Sequence, residues 1–150
     1  MTQVSAAFTR DANAVPITAV GLTATKSITY AAGTTGATGA TTLFTVTGVV
    51  ALRVFALCGL DLTSGGAATM EVGVAGGTAT LIAQTTATAI DVGEIWIFTA
   101  PALVELLPAF SLISELDVIQ TIATTTVTGG SLTYYCIWIP ISDTGNVVAA

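Results

Sequence analysis

The feature that most constrains this chain is the alternation of apolar and small polar residues in short runs broken by glycine. In VVALRVFALC (residues 49–58), one face collects every second side chain by the two-residue period of a β-strand, namely Val50, Leu52, Val54, Ala56 and Cys58. Threonine, valine and isoleucine dominate the other runs, which favours strands over helices. We therefore predict an all-β chain.

Similar runs recur at intervals of roughly 8–12 residues. We predict strands over residues 26–31, 41–48, 49–58, 69–75, 80–85 and 94–98, and two more within residues 117–141 that meet at Gly129 and Gly130. Residues 101–108 (PALVELLP) fit either a short helix or a strand. Many short strands with almost no helix indicate an antiparallel β-sandwich or barrel, and we favour a jelly-roll-like sandwich.

Two local predictions follow from the strict alternation. In residues 41–48, we expect Leu43 to point away from Phe44 and Val46. In residues 94–98, we expect Glu94, Trp96 and Phe98 to share one side of a strand.

The chain divides into an arm and one domain. Residues 1–24 have mixed polarity and no clear period, so we predict an extended N-terminal arm with a short strand around residues 15–20. Residues 25–150 form a single predicted β-sandwich domain, because 150 residues suit one domain with a sizeable core.

The stretch GTTGATGAT (residues 33–41) carries glycine at every third position. Three triplets without proline cannot build a collagen triple helix. Ala40 and Thr41 stand where a phosphate-binding P-loop requires lysine and serine or threonine. The stretch is therefore predicted to be a loop between two strands, in which glycine supplies unusual backbone angles.

The balance of charged and apolar residues limits the class of partner. Charged residues make up 8% of the chain, against roughly 25% in ordinary soluble domains. The net charge is −6, and the basic residues are only Arg10, Lys26 and Arg53. Nucleic-acid binding needs clustered lysine and arginine, so we expect none.

We expect no membrane insertion and no secretory signal, because no apolar run approaches about 20 residues and the first 16 lack a basic and an apolar region. Hydrophobic residues nevertheless reach 53%. Obligate subunit interfaces resemble a domain core cut in half, so we predict that neighbouring chains cover much of the apolar surface. We expect a homo-oligomer, with a trimer as the working assumption.

Catalytic chemistry has little support in the sequence. The chain has no histidine, which removes histidine-based nucleophile activation and most zinc sites. Cys58 and Cys136 lie in apolar runs, where two buried thiols are favoured over a disulfide. The acid pairs in DVGE (residues 91–94) and ELD (residues 115–117) flank strand starts, so we favour solvated turns over a weak calcium site or a catalytic pair. We predict no enzyme activity, no cofactor and no metal.

Four segments carry a resemblance to a known group of proteins. They are TRDANAVPI (residues 9–17), TTLFTVTG (residues 41–48), MEVGVAGGTATLIAQTTATAIDVGEIW (residues 70–96) and the closing WIPIS and GNVVAA. Together they resemble small virion proteins of tailed bacteriophages, of the head decoration or cement type. The resemblance implies a β-rich subunit that binds the major capsid protein on the outside of the expanded head and is located on the virion after assembly in the host cytoplasm.

Two sets of residues are candidates for interfaces. In the arm, Arg10 is a candidate for a capsid carboxylate, and the apolar anchors are Phe8, Val15, Pro16 and Ile17. In the domain, Arg53 and Phe55 share the face opposite Val54, which we interpret as a contact surface. Packing within the chain is the alternative for the arm residues. For the whole chain, a phage tail or fibre component and a carbohydrate-binding adhesion module remain alternatives.

Overall fold

A computed structural model describes residues 21–98 and 100–150. These residues form ten strands in two antiparallel sheets and contain no α-helix. The strands are β1 (Leu22–Thr29), β2 (Gly39–Thr47), β3 (Val49–Ser64), β4 (Thr69–Val74), β5 (Gly77–Thr86), β6 (Ile95–Trp96), β7 (Ser111–Ser114), β8 (Val118–Ala123), β9 (Val127–Pro140) and β10 (Asn146–Ala149). The predicted all-β class is confirmed. The predicted arm and its interface candidates Phe8, Arg10, Val15, Pro16 and Ile17 lie outside the described residues.

Successive strands alternate between the two sheets. The first sheet has the order β1-β9-β3-β6, and β7 pairs with β3 on the same strand edge as β6. The second sheet has the order β10-β2-β8-β4-β5. Only the β4–β5 hairpin and the β6–β7 connection keep consecutive strands in one sheet. Neither sheet is therefore built from a continuous stretch of the chain.

The core lies between the sheets and follows the period of two. Val50, Leu52, Val54, Ala56 and Cys58 of β3 are all buried, as predicted. On the neighbouring β9, the alternating residues Leu132, Tyr134, Cys136 and Trp138 are buried as well. Because the two longest strands are paired along most of their length, they form the centre of the first sheet.

The N-terminal boundary differs from the prediction. β1 begins at Leu22, so residues 22–24, assigned to the arm from the sequence, pair with β9. The sequence here reads Leu-Thr-Ala-Thr, which contains only one large apolar residue and therefore gives a weak strand signal. Lys26 lies on the core-facing side of this edge strand, and its ammonium group donates a hydrogen bond to the carbonyl oxygen of Ala150. An inward-pointing charge on an edge strand disfavours unwanted pairing with other chains.

The expectation that Leu43 points away from Phe44 is wrong. Both side chains are fully buried. The pairing of β2 with β8 shifts register between Thr42 and Phe44, so a β-bulge places two consecutive residues in the core.

The predicted junction at Gly129 and Gly130 is also wrong. The chain turns at residues 124–126, where Thr124 has a φ of 72°, and both glycines lie inside β9. Gly130 has a φ of 102°, and a Cβ there would lie 2.5 Å from the Asp61 carbonyl oxygen. Glycine at this position therefore allows β3 and β9 to approach closely, in a region where their register shifts.

The predicted strand over residues 94–98 is shortened to β6. Trp96 and Ile97 are both buried, while Phe98 is largely exposed, so strict alternation stops after Trp96. The indole N–H of Trp96 donates a 2.9 Å hydrogen bond to the Thr85 hydroxyl oxygen. Ile95 forms a β-bridge with Ala102, which directs the chain away from β3.

Residues 33–38 of the glycine-rich stretch lie in the loop between β1 and β2, as predicted, whereas residues 39–41 already belong to β2. The central glycine of the stretch, Gly36, packs directly on the backbone at the start of β9, and the Val127 amide donates a 2.9 Å hydrogen bond to the Gly36 carbonyl. A Cβ at this position would lie 1.9 Å from the Val127 carbonyl oxygen. The loop therefore contacts the start of β9.

Candidate interaction surface

The outer face of the first sheet carries the aromatic side chains of Phe55 and Tyr135 beside one charged residue, Arg53. Phe55 on β3 and Tyr135 on β9 are direct cross-strand partners, and their rings stack with centroids 5.2 Å apart and an interplanar angle of 16°. Arg53 lies two residues away on the same face and is half-buried. The sequence prediction that Arg53 and Phe55 share a face is correct.

The connection between β6 and β7 passes beside this face. We call residues 100–110 the apolar loop. Arg53 contacts the C-terminal end of this loop. Its Nη1 atom donates a 3.2 Å hydrogen bond to the Pro108 carbonyl, and its guanidinium carbon lies 4.1 Å from the centroid of the Phe110 ring. The buried Nε atom of Arg53 makes no hydrogen bond. Arg53 is therefore engaged by its own chain.

The apolar loop exposes an unusual amount of aliphatic surface. Val104 is 86% exposed, Leu106 82% and Leu103 71%, and three further large side chains, Leu107, Phe110 and Leu112, are exposed in the loop and in the adjoining β7. Large apolar side chains that are exposed together mark a candidate contact surface for a protein partner.

Two clefts adjoin the loop. A small cleft of about 120 Å³ lies beneath it and is lined by Phe55, Ile95, Ile97, Glu105 and Leu107. Glu105, the only charged residue of the loop, lines this cleft. A larger cleft of about 360 Å³ opens between the second and first sheets, and it contains no charged residue. Its lining comprises Val74, Thr80, Leu81, Ser111, Leu112, Ile113, Ser114 and Leu116.

Three of the four acids in the DVGE and ELD pairs, Glu94, Glu115 and Asp117, accept hydrogen bonds from backbone amides. The Glu94 carboxylate accepts a 3.1 Å hydrogen bond from the Asp91 amide, and Asp61 accepts one from the Val92 amide at 2.6 Å. Glu115 and Asp117 likewise accept hydrogen bonds from the amides of Gly48 and Val46, at 2.9 and 3.0 Å. Within residues 21–98 and 100–150, no group of three or more acidic, cysteine or histidine side chains is placed to hold a metal ion.

Both cysteines are free thiols in the core, as favoured from the sequence. Burial raises the pKa of the Cys136 thiol to about 12, and burial is also the main cause that raises the pKa of Cys58. A thiol is nucleophilic only as the thiolate. Neither cysteine is therefore suited to react at neutral pH.

The sequence identified Arg53 and Phe55 but missed the larger apolar loop beside them. The pattern of residues 101–108 fits either a short helix or a strand, and in the structure they form neither apart from the bridge at Ala102. A usable signal was present, because Pro101 and Pro108 bracket four large aliphatic residues and one acid. Proline at both ends disfavours continuation of a helix or a central strand.

Comparison with known proteins adds no relative: no protein-family model, no curated protein and no solved structure matches this chain. In the part of the chain that the structure describes, no helix has the length and hydropathy needed to cross a bilayer.

Proposed function

We propose that this chain is a non-enzymatic structural protein of a virion, a decoration or cement subunit on the outer surface of a mature phage head. Its partners would be the major capsid protein and further copies of itself. The observation that carries the proposal is the apolar loop with the adjoining face of β3 and β9, an extensive and nearly uncharged surface of the kind that protein partners cover. The resemblance of four sequence segments to phage head proteins selects this class of assembly.

The proposal also includes the type of β-sandwich that the two sheets form. We infer a jelly-roll sandwich, in which the orders β1-β9-β3-β6 and β2-β8-β4-β5 interleave as two Greek keys, and β10 extends the second sheet. Jelly rolls are frequent in viral capsid and lectin domains. Residues 1–20, which precede this sandwich, would then attach to a neighbouring capsid subunit through Phe8, Arg10 and Ile17.

A cement function depends on interface area and not on reactive groups. A protein that binds the expanded capsid lattice and not its precursor stabilises the expanded form by mass action. Repetition around symmetry axes multiplies a modest affinity at each site. A small, rigid, weakly charged β-subunit meets these requirements.

The experiment that tests the proposal is mass spectrometry of purified virions separated into heads and tails, with copy number per particle. The digestion should use chymotrypsin, because the whole chain offers trypsin only three basic residues. Many copies in the head fraction are expected. Recovery in the tail fraction would favour the tail or fibre alternative, and absence from both would overturn the virion proposal.

The carbohydrate-binding alternative loses its most direct argument. Sugar-binding modules use exposed aromatic rings as stacking surfaces, and both tryptophans of this chain are buried, Trp96 completely and Trp138 almost so. Neither tryptophan is therefore available as a stacking surface for a sugar.

A further inference from the structure

We propose that residues 15–20 (VPITAV) pack back onto the sandwich and cover an apolar cleft at the start of β1, with the side chain of Val20 inserted in it. The cleft has a volume of about 170 Å³ and is lined by Gly21, Leu22, Trp138, Ile139 and Pro140. The inference concerns the chain by itself and does not rest on the virion proposal.

The cleft lies where the chain enters the sandwich. Gly21 lines it and has a φ of 115°, and a Cβ at this position would lie 2.6 Å from the Trp138 carbonyl oxygen. The backbone at Gly21 is therefore held directly against β9. Because consecutive Cα atoms are about 3.8 Å apart, Val20 is within one residue of the cleft wall.

The cleft and the segment match in polarity and size. Every described residue that lines the cleft is apolar, and Ile139 and the following Ile141 are 38% and 57% exposed. Residues 12–20 contain no charged side chain, so covering the cleft with them desolvates no charge. A cavity of about 150 Å³ accommodates one benzene ring, so this cleft has room for the side chain of a valine.

The sequence predicts which side chains of the segment share the side of Val20. A short strand is predicted around residues 15–20, and in an extended chain every second side chain points the same way. Pro16 is therefore expected on the side of Val20, whereas Val15 and Ile17 are expected on the opposite side. With Val20 in the cleft, Ile17 remains available to a partner.

The segment has an advantage over any separate partner as the occupant of the cleft. It is joined to the cleft through Gly21, and a short tether gives an effective concentration of about millimolar. A second copy or another protein at micromolar concentration would have to displace it. The part of the arm that leaves the sandwich then ends before residue 15, and it retains Phe8 and Arg10.

The first test compares Val20→Asp with Ala19→Asp in the full-length chain by denaturant unfolding. Both variants add the same charge at neighbouring positions, but only Val20→Asp places it in an apolar cleft, where an unpaired charge is costly. We expect Val20→Asp to lower the denaturant midpoint and Ala19→Asp to leave it at the wild-type value. Equal midpoints for all three proteins, or equal losses in the two variants, would overturn the proposal.

The second test measures the contact without a buried charge. Val20→Cys and Ala19→Cys are each combined with Ile139→Cys in one chain and mildly oxidised; the two native cysteines are buried and do not interfere. We expect the disulfide within one chain to form faster with Val20→Cys than with Ala19→Cys. Equal rates would show that the side chain at position 20 does not face the cleft, and disulfides between two chains would assign the cleft to the segment of another copy. Either result would overturn the proposal.

Discussion

The hydroxyl of Tyr134 on β9 donates a hydrogen bond to the side-chain oxygen of Gln120 on β8, and this bond joins the two sheets through the core. The Tyr30 hydroxyl donates to the same oxygen and lies 3.1 Å from that of Tyr134. All three residues are buried, and the Gln120 Nε2 atom makes no hydrogen bond. One amide oxygen thus accepts from Tyr134 of the opposite sheet and from Tyr30, which follows β1.

A double-mutant cycle measures this connection. Tyr134→Phe removes one donor and should cost about 1 kcal/mol. Gln120→Leu removes the acceptor of two buried hydroxyls, those of Tyr30 and Tyr134, and should cost about 1–3 kcal/mol. Because the residues are in direct contact, denaturant unfolding of the double variant should reveal a coupling energy of about 1 kcal/mol. Additive losses would show that the bond contributes nothing beyond packing.

Gly36 should be intolerant of any side chain. Gly36→Ala places a Cβ on the Val127 carbonyl oxygen, so we expect a loss of more than about 2 kcal/mol in the free energy of unfolding. Gly65→Ala is the matched control, because no atom lies within 4 Å of a Cβ built there. Its effect should stay within about 0.5 kcal/mol; equal losses at both sites would contradict the close approach.

Arg53 should control the order of the apolar loop. Arg53→Lys keeps the charge but loses the planar group above Phe110, at an expected cost of about 0.5–2 kcal/mol. We expect chymotrypsin to cleave the variant faster within residues 103–107, and the denaturant midpoint to fall by the amount that this cost implies. Unchanged cleavage would mean that the loop is held by contacts other than Arg53.

Stability should fall in alkaline solution. The pKa of Cys136 is raised in the folded state to about 12 from its ordinary value of 9.0, so the folded protein keeps a proton that the unfolded chain releases. The stabilisation is complete below pH 9 and is lost as the pH rises towards about 12, at up to about 1.4 kcal/mol per pH unit.

Cys136→Ala tests this linkage. Its unfolding free energy should decline by about 1 kcal/mol less than that of the wild type between pH 8 and pH 10. The tyrosines Tyr30 and Tyr134 also have a raised pKa, chiefly because burial disfavours their charged form, and they add the same trend at higher pH in both proteins. If the unfolding free energies of the two proteins declined in parallel from pH 8 to pH 10, Cys136 would not be a source of the loss of stability in alkaline solution.

The sequence predicted most of the fold where one face of a strand is buried and the other is not. The buried set of β3 follows directly from the alternation. The shared face of Arg53 and Phe55 follows from the same rule. Each of these depends only on neighbours along the chain.

The errors arise where the tertiary structure overrides the local pattern. The bulge at Leu43 and Phe44 depends on β8, and the position of Gly130 depends on the approach of β3. The apolar loop was not recognised as exposed, because a run of leucines normally indicates burial. Strand order could not be predicted at all, because each pairing partner except that of the β4–β5 hairpin lies far away in sequence.

The alternation of strands between the sheets has a consequence for biosynthesis. Ser27 on β1 and its partner Thr133 on β9 are 106 positions apart. The first strand therefore cannot pair with β9 until most of the chain has been translated. Topologies dominated by such distant contacts fold slowly, on the scale of milliseconds to seconds. During that interval the leucines of the apolar loop are accessible to chaperones, and the nascent chain is at its most vulnerable to aggregation.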